Sequence, residues 1–85
     1  MNIVAKLINV TGGYEVDRDN AKKYLILGNQ YEVERIDMHS SCTDVYLKGV
    51  DAKFNSVNFE FYKDGKLHCI FSDPEINTYL NIYGK

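Results

Sequence analysis

The sequence predicts a mainly β protein, a small and strongly bent antiparallel barrel of five to six strands. Three observations lead to this fold class. Short runs of alternating apolar and polar residues recur along the chain, turn signals separate them, and one Asp-Gly pair stands between two strand-like runs. The sequence is also compatible with a short C-terminal helix in addition to these strands.

Length and composition limit the number of domains and the class of protein. The 85 residues allow one domain, 1–85, and 45% of them are hydrophobic while 26% are charged, as in an ordinary globular protein. No apolar run approaches the roughly 20 residues of a membrane span, and the N-terminus lacks the pattern of a signal peptide. We therefore expect a cytoplasmic protein without a membrane partner, in which seven tyrosines and four phenylalanines supply much of the core.

In the first third of the chain, the sequence pattern predicts one strand, one loop and one turn. Residues 2–10 carry six apolar residues at both parities and a single charge, Lys6, which indicates a strand that is covered on both faces or bent. Residues 15–23 are polar and charged, so we expect a solvated loop there. Gly28-Asn29 is a pair suited to positive φ and predicts a turn.

In the middle of the chain, the sequence pattern predicts two strands. In residues 31–38 the apolar parity changes, because Tyr31 and Val33 share one face whereas Ile36 and Met38 fall on the other. A β-bulge produces such a change by inserting one residue. Residues 43–47 alternate cleanly, as expected for a half-buried antiparallel strand.

The strongest local signal is a hairpin. Residues 56–62 alternate as a strand, and Asp64-Gly65 predicts a two-residue type I′ turn that pairs Tyr62 with Leu67. Continued pairing would give the hairpin two apolar faces. One face would carry Phe59, Phe61, His68 and Ile70, and the other Tyr62, Leu67, Cys69 and Phe71.

The C-terminus is open to two interpretations. Residues 72–75, Ser-Asp-Pro-Glu, are a helix-start signal, and Ile76, Tyr79, Leu80 and Tyr83 follow at helical spacing. Residues 78–83 also fit a strand. We expect this tail, or another chain, to cover the second face of the hairpin.

Several segments together resemble a known group of proteins. The run 23–33, KYLILGNQYEV, is similar to the "leucine, x, x, glycine, x, x, tyrosine, x, valine" opening of small SH3-like barrels from phages and prophages of low-GC Gram-positive bacteria. Residues 5–10, 45–49 and 54–61 also resemble members of that group. The resemblance covers roughly residues 4–62. It implies an SH3-like barrel and carries over no catalytic residue.

No motif in the chain predicts catalysis or a cofactor. His39-x-x-Cys42 and His68-Cys69 supply the four ligands of a zinc site, but adjacent strand residues point to opposite faces and the spacing is not that of known sites. A disulfide or a nucleophilic cysteine is also disfavoured. Glu15, Asp17 and Asp19 lack the glycine and distal glutamate of a calcium loop. We therefore expect a non-enzymatic protein with no metal and no cofactor.

The leading functional prediction is a protein-interaction module, acting on a phage or host protein or on a second copy of the chain. Its expected surface comprises Tyr46, Tyr62, Leu67, Phe71, Tyr79 and Tyr83. The alternative is nucleic-acid binding through Lys48, Lys53, Lys63 and Lys66. A net charge of −2 and a pI near 5.6 disfavour that alternative. A third prediction, which no motif supports, is sequestration of a small molecule in a barrel groove.

Overall fold

The structure is a computed structural model that describes residues 2–77. Within this range one antiparallel sheet of six strands carries one α-helix and two 3₁₀ turns. The strands are β1 (Val4–Leu7), β2 (Gln30–Met38), β3 (Thr43–Leu47), β4 (Lys53–Asn55), β5 (Phe59–Lys63) and β6 (Lys66–Leu67). The helix α1 spans Glu15–Tyr24, and the 3₁₀ turns span Ser56–Asn58 and Ile70–Ser72.

The mainly β, antiparallel class is confirmed, but the sheet is not closed into a barrel. Its strand order is β4-β3-β2-β1-β5-β6, so β4 and β6 are its two edges. β1 lies between β2 and β5 and is shorter than the predicted strand over residues 2–10. Ala5 and Leu7 of β1 are fully buried while Val4 and Lys6 are half-buried, so β1 has one core face rather than two.

The predicted bulge in β2 is confirmed. Gln30–Glu32 pair with β1, whereas the remainder of β2 pairs with β3, and the register shifts between Val33 and Arg35. Because of this shift, Val33 and Ile36 are both buried although they are three residues apart. β3 has the bounds that the alternation predicts.

The predicted loop over residues 15–23 is wrong, because this segment forms α1. Only Asp17 and Ala21 of the helix are buried, four positions apart on one face. Such a helix has no apolar stripe for sequence periodicity to detect. Polar contacts hold it to the sheet, and one of them is the Asn20 side-chain amide, which donates to the Lys53 carbonyl at 2.9 Å.

The predicted strand over residues 56–62 begins later, at Phe59. The Asn55 side chain accepts a hydrogen bond from the Val57 N–H at 3.1 Å and so starts the first 3₁₀ turn. This turn leaves Val57 exposed while Asn58 is fully buried. The Asn58 side chain donates to Asn9 Oδ1 at 2.9 Å and to the Gly12 carbonyl at 3.2 Å, which secures the loop after β1.

The Asp64-Gly65 hairpin is confirmed, but its second strand is short. Asp64 and Gly65 have φ values of 54° and 77°, as a type I′ turn requires, and Tyr62 pairs with Leu67. Beyond β6 the His68 N–H still donates to the Phe61 carbonyl, at 2.7 Å. The chain then enters the second 3₁₀ turn instead of continuing along β5, so the predicted pairs at Cys69 and Ile70 do not form.

The core lies on one side of the bent sheet. Its largest fully buried side chains include Phe54, Leu7, Leu47 and Ile70, with Phe59 and Phe61 close to full burial. After the second 3₁₀ turn, Asp73 Oδ1 accepts from the Glu75 N–H at 2.9 Å, and Ile76 is buried. Residues 74–76, where the predicted C-terminal helix would begin, form a turn, and the rest of that helix and the alternative strand over residues 78–83 lie outside the described residues. Within residues 2–77 no helix has the length and hydropathy needed to cross a membrane.

Candidate functional site

The principal surface feature is a pair of adjoining depressions that meet at Phe71. The larger has a volume of about 530 Å³ and is lined on its apolar side by Tyr14, Val57 and Phe71. The smaller has a volume of about 430 Å³ and is lined by Phe59, Phe61, Leu67, Cys69 and Phe71, among others. Ser56 also borders both. We call the two together the Phe71 groove.

The Phe71 groove combines an ordered floor with exposed apolar walls. Phe59 and Phe61 in the floor are buried, and their ring centroids lie 6.0 Å apart. Leu67 is 68% exposed and Phe71 52%. Side chains of this size and exposure around one concavity are typical of surfaces that bind a partner.

Local hydrogen bonds fix the position of Phe71. Asp73 Oδ2 lies 2.8 Å from His68 Nε2 and 3.7 Å from Lys63 Nζ, which joins the 3₁₀ turn to the β5–β6 hairpin. The Asn77 side chain donates to the Phe71 carbonyl at 2.9 Å. The turn that presents Phe71 is therefore tied to the hairpin and to the segment that follows.

The electrostatics of the turn reinforce this arrangement. Burial by itself would raise the pKa of Asp73, but the hydrogen bonds from His68 and the Glu75 N–H and the charge of Lys63 outweigh burial and lower it. Cys69 is exposed at the start of the same turn. The Ser72 hydroxyl, followed by the Ser72 and Phe71 N–H groups, lowers the pKa of the Cys69 thiol by hydrogen bonding to its sulfur.

A polar cluster adjoins the larger depression through the hydrogen bond from Asn55, which lines that depression, to Asp17. Lys53 Nζ is 3.6 Å from Asp17 Oδ1 and 3.6 Å from Asp44 Oδ1. Burial alone would lower the pKa of Lys53, but these two carboxylates raise it. Lys53 therefore compensates the charge of two carboxylates, one of them fully buried.

Asp44 also approaches His39 and Cys42. Its Oδ2 lies 3.1 Å from His39 Nε2, and its Oδ1 lies 3.9 Å from the Cys42 sulfur. The carboxylate thus stands between the imidazole and the thiol, whereas an activated cysteine needs the imidazole in that place. Within residues 2–77 no group of three or more His, Cys, Asp or Glu side chains is arranged to hold a metal ion, and both cysteines are free thiols.

The structure brings together only part of the predicted interaction surface. Leu67 and Phe71 both line the Phe71 groove, as does Cys69, but Tyr62 lines a separate depression of about 360 Å³ beside Asp64 and Gly65. Burial and the hydrogen bond to Glu60 raise the pKa of Tyr62. Tyr46 lies in β3, with the Arg35 guanidinium 4.2 Å from its ring centroid. Tyr79 and Tyr83 lie outside the described residues.

The four lysines of the nucleic-acid alternative do not all gather on one side, although Lys63 and Lys66 are cross-strand partners in the β5–β6 hairpin. Lys53 belongs to β4 and Lys66 to β6, the two edge strands of the sheet. Lys48 lies 3.5 Å from Glu32, and Lys53 and Lys63 also contact carboxylates.

Two groove residues, Val57 and Tyr14, are absent from the predicted surface. Val57 is 52% exposed, but the alternation places it on the same face as Phe59 and Phe61. Asn55 stands two positions before Val57, and asparagine side chains commonly accept a hydrogen bond from the N–H two residues ahead. This residue type is the one sequence feature that indicates a turn at Val57. Tyr14 precedes a helix that the sequence pattern does not reveal.

The comparisons with known proteins decide the family. A family model described as Bacteriophage T4 protein Y07B matches residues 2–82. The chain belongs to this phage protein family. A relative from Enterobacteria phage T4, an uncharacterized 11.2 kDa protein in the segB-ipI intergenic region, is 37% identical over 92 residues, which cover 93% of this chain and 96% of the relative. No solved structure matches the chain.

Membership in the Y07B family confirms part of the resemblance stated above. The chain is a member of a small phage protein family, as predicted. The relative comes from a phage of enterobacteria, and the association with Gram-positive hosts stays a prediction.

Proposed function

We propose that this chain is a non-enzymatic phage accessory protein that binds a protein partner through the Phe71 groove. One observation carries the proposal: Leu67, Phe71 and Val57 are all at least half exposed around a groove whose floor is built from buried aromatic rings. Exposed apolar side chains around a concavity supply the central contacts of protein interfaces, where aromatic anchors contribute most of the affinity.

Two further features support a protein as the occupant. The outer edge of β6 borders the groove and, within the described sheet, has no neighbouring strand. An extended segment of a partner can pair with such an edge while its side chains enter the apolar depressions. The cysteine, histidine and carboxylate geometry beside the groove gives no support for a catalytic role.

The test compares three forms of the full chain as immobilised baits in a lysate of phage-infected cells. These are the wild type, a Leu67→Ser/Phe71→Ser variant, and a Val16→Ser control, because Val16 is 53% exposed and lines neither depression. We expect a protein that the wild type and the control retain and that the groove variant loses at least about tenfold, as expected when anchor residues are removed.

Light scattering on the same three forms distinguishes a second copy from a different protein. A wild-type dimer that the groove variant converts to a monomer would identify a second copy as the occupant. Equal recovery of every protein by all three baits, together with a monomeric wild type, would contradict the proposed function.

The alternatives have weaker support. Nucleic-acid binding would have to use four lysines of which three, Lys48, Lys53 and Lys63, already contact carboxylates. Small-molecule sequestration is compatible with the volumes of the depressions, but both lie open on the surface of an unclosed sheet rather than in a barrel.

A further inference from the structure

A second apolar surface, which shares no residue with the Phe71 groove, lies where the end of β1 meets the turn after α1. Ile26 and Leu27 are 65% and 60% exposed, and Ile8 is 43% exposed. The Gly28 N–H donates to the Leu7 carbonyl at 2.8 Å, which places the turn beside Ile8. We call Ile8, Ile26 and Leu27 the aliphatic tip.

The aliphatic tip is an ordered projection. The Ile26 N–H donates to the Tyr31 hydroxyl at 2.8 Å, and the Asn29 N–H donates to the Ile26 carbonyl at 3.1 Å. Gly28 has a φ of 88°, and no atom lies within 4 Å of the position that a Cβ would occupy there. The turn is therefore held in shape by hydrogen bonds while it projects into open space.

The two chain segments that carry the aliphatic tip differ in charge from the rest of the chain. Residues 2–14 and 20–31, which include the tip, contain no acidic residue, although the chain has twelve. The same two segments contain three lysines. Lys22 and Lys23 are exposed in the last turn of α1, with Lys23 Nζ 5.2 Å from the Tyr24 ring centroid. Lys6 is paired in register with Glu60, so Lys22 and Lys23 carry the local excess of positive charge.

We propose that the aliphatic tip binds the surface of an anionic lipid membrane. A projecting apolar turn needs a partner that accepts it without a matching pocket, and the acyl boundary of a bilayer does so. Lys22 and Lys23 complement the anionic headgroups, and Tyr24 is suited to the interfacial layer. With two basic residues and a few aliphatic ones, the binding is reversible and sensitive to salt.

The test is co-sedimentation of the full chain with vesicles of phosphatidylglycerol and phosphatidylcholine in equal parts, and with vesicles of phosphatidylcholine alone. We expect binding to the anionic vesicles only. An Ile26→Ser/Leu27→Ser variant should lose about tenfold or more in partitioning, because its apolar contribution is removed. A Lys22→Gln/Lys23→Gln variant should lose about fivefold for each lysine. Val16→Ser, which removes an exposed apolar side chain that belongs to neither the aliphatic tip nor the Phe71 groove, should bind as the wild type does.

Two outcomes would overturn the proposal. One is the absence of wild-type binding to anionic vesicles at low salt, and the other is equal binding by the wild type and the tip variant. If a soluble peptide of alternating glutamate and leucine binds the tip while vesicles do not, the site recognises an acidic protein segment and the membrane proposal is wrong. Thermal unfolding checks that each variant is folded. Because the groove and the tip share no residue, this test is independent of the proposed function.

Discussion

Asp17 in helix α1 accepts a hydrogen bond from the side-chain amide of Asn55 at 3.3 Å, and both residues are buried although they are 38 positions apart. The same carboxylate accepts from the Tyr14 N–H at 3.2 Å, and Lys53 Nζ lies 3.6 Å from its other oxygen. A single side chain thus starts the helix and attaches it to β4. Because Tyr14 and Asn55 both line the larger depression, this contact also shapes the Phe71 groove.

Replacement of Asp17 should therefore destabilise the whole domain. Asp17→Ala removes two hydrogen bonds to a charged group and leaves the Asn55 amide buried without its acceptor, so we expect a loss of about 1.5–3 kcal/mol in the free energy of unfolding. Urea denaturation measures it. Asp19→Ala, at an exposed position of the same helix, should change the free energy by less than about 0.5 kcal/mol. Similar losses for both variants would contradict the role assigned to Asp17.

The stability of the domain should depend on pH through Asp73. Its folded pKa is lowered, so its contribution is fully present above the unfolded pKa of about 3.9 and is lost as the pH falls through the folded pKa. Asp73→Asn should cost about 1.5–3 kcal/mol at pH 7. The difference from the wild type should shrink below about pH 4. Urea denaturation at neutral and acidic pH tests this, with exposed Asp51→Asn as the control. A difference that stays constant with pH would contradict it.

Cys69 should be the more reactive of the two thiols. It is exposed, and hydrogen bonds from Ser72 and Phe71 lower the pKa of its thiol, which increases the thiolate fraction at neutral pH. Alkylation with iodoacetamide, followed by peptide mass spectrometry, should modify Cys69 before Cys42. Ser72→Ala should move the pH midpoint of Cys69 alkylation upward. An unchanged midpoint would show that the Ser72 hydroxyl does not stabilise the thiolate.

We expect the chain to bind nucleic acid only weakly. Lys48, Lys53 and Lys63 already contact carboxylates, so phosphate contacts would have to displace those ion pairs. Fluorescence anisotropy with labelled single-stranded DNA and RNA should show no saturable binding at about 0.15 M salt. Tight binding that weakens steeply with salt, and that Lys66→Gln reduces, would revive the nucleic-acid alternative.

The elements that the sequence predicts correctly are those with a local physical cause. The Asp64-Gly65 turn follows from two residues that tolerate positive φ. The bulge in β2 follows from the change of parity between Val33 and Ile36, and β3 follows from its own alternation. Each of these depends on residues within a few positions of one another.

The errors occur where a distant residue decides the local structure. Helix α1 has Ala21 as its one buried apolar side chain, and it is held by Asn55 and by the Lys53 carbonyl, to which Asn20 donates. The hairpin pairing ends after Leu67, and the chain enters the second 3₁₀ turn, which Asp73 ties back to His68 and to Lys63 at the end of β5. Neither effect leaves a periodic pattern in the sequence.

For the candidate sites, the sequence by itself predicted that Leu67 and Phe71 share an apolar surface, but the structure exposes Phe71 on the second 3₁₀ turn and not on a continued hairpin. The sequence also determined the turn at Gly28, beside which the aliphatic tip stands. Only the tertiary structure decided that Val57 joins Phe71 while Tyr62 faces a separate depression. The position of Val57 depends on the 3₁₀ turn that Asn55 starts, and the position of Tyr62 depends on how the hairpin packs against β1. The mainly β fold thus follows from local alternation, whereas the shape of the groove depends on buried hydrogen bonds between segments that are far apart in the chain.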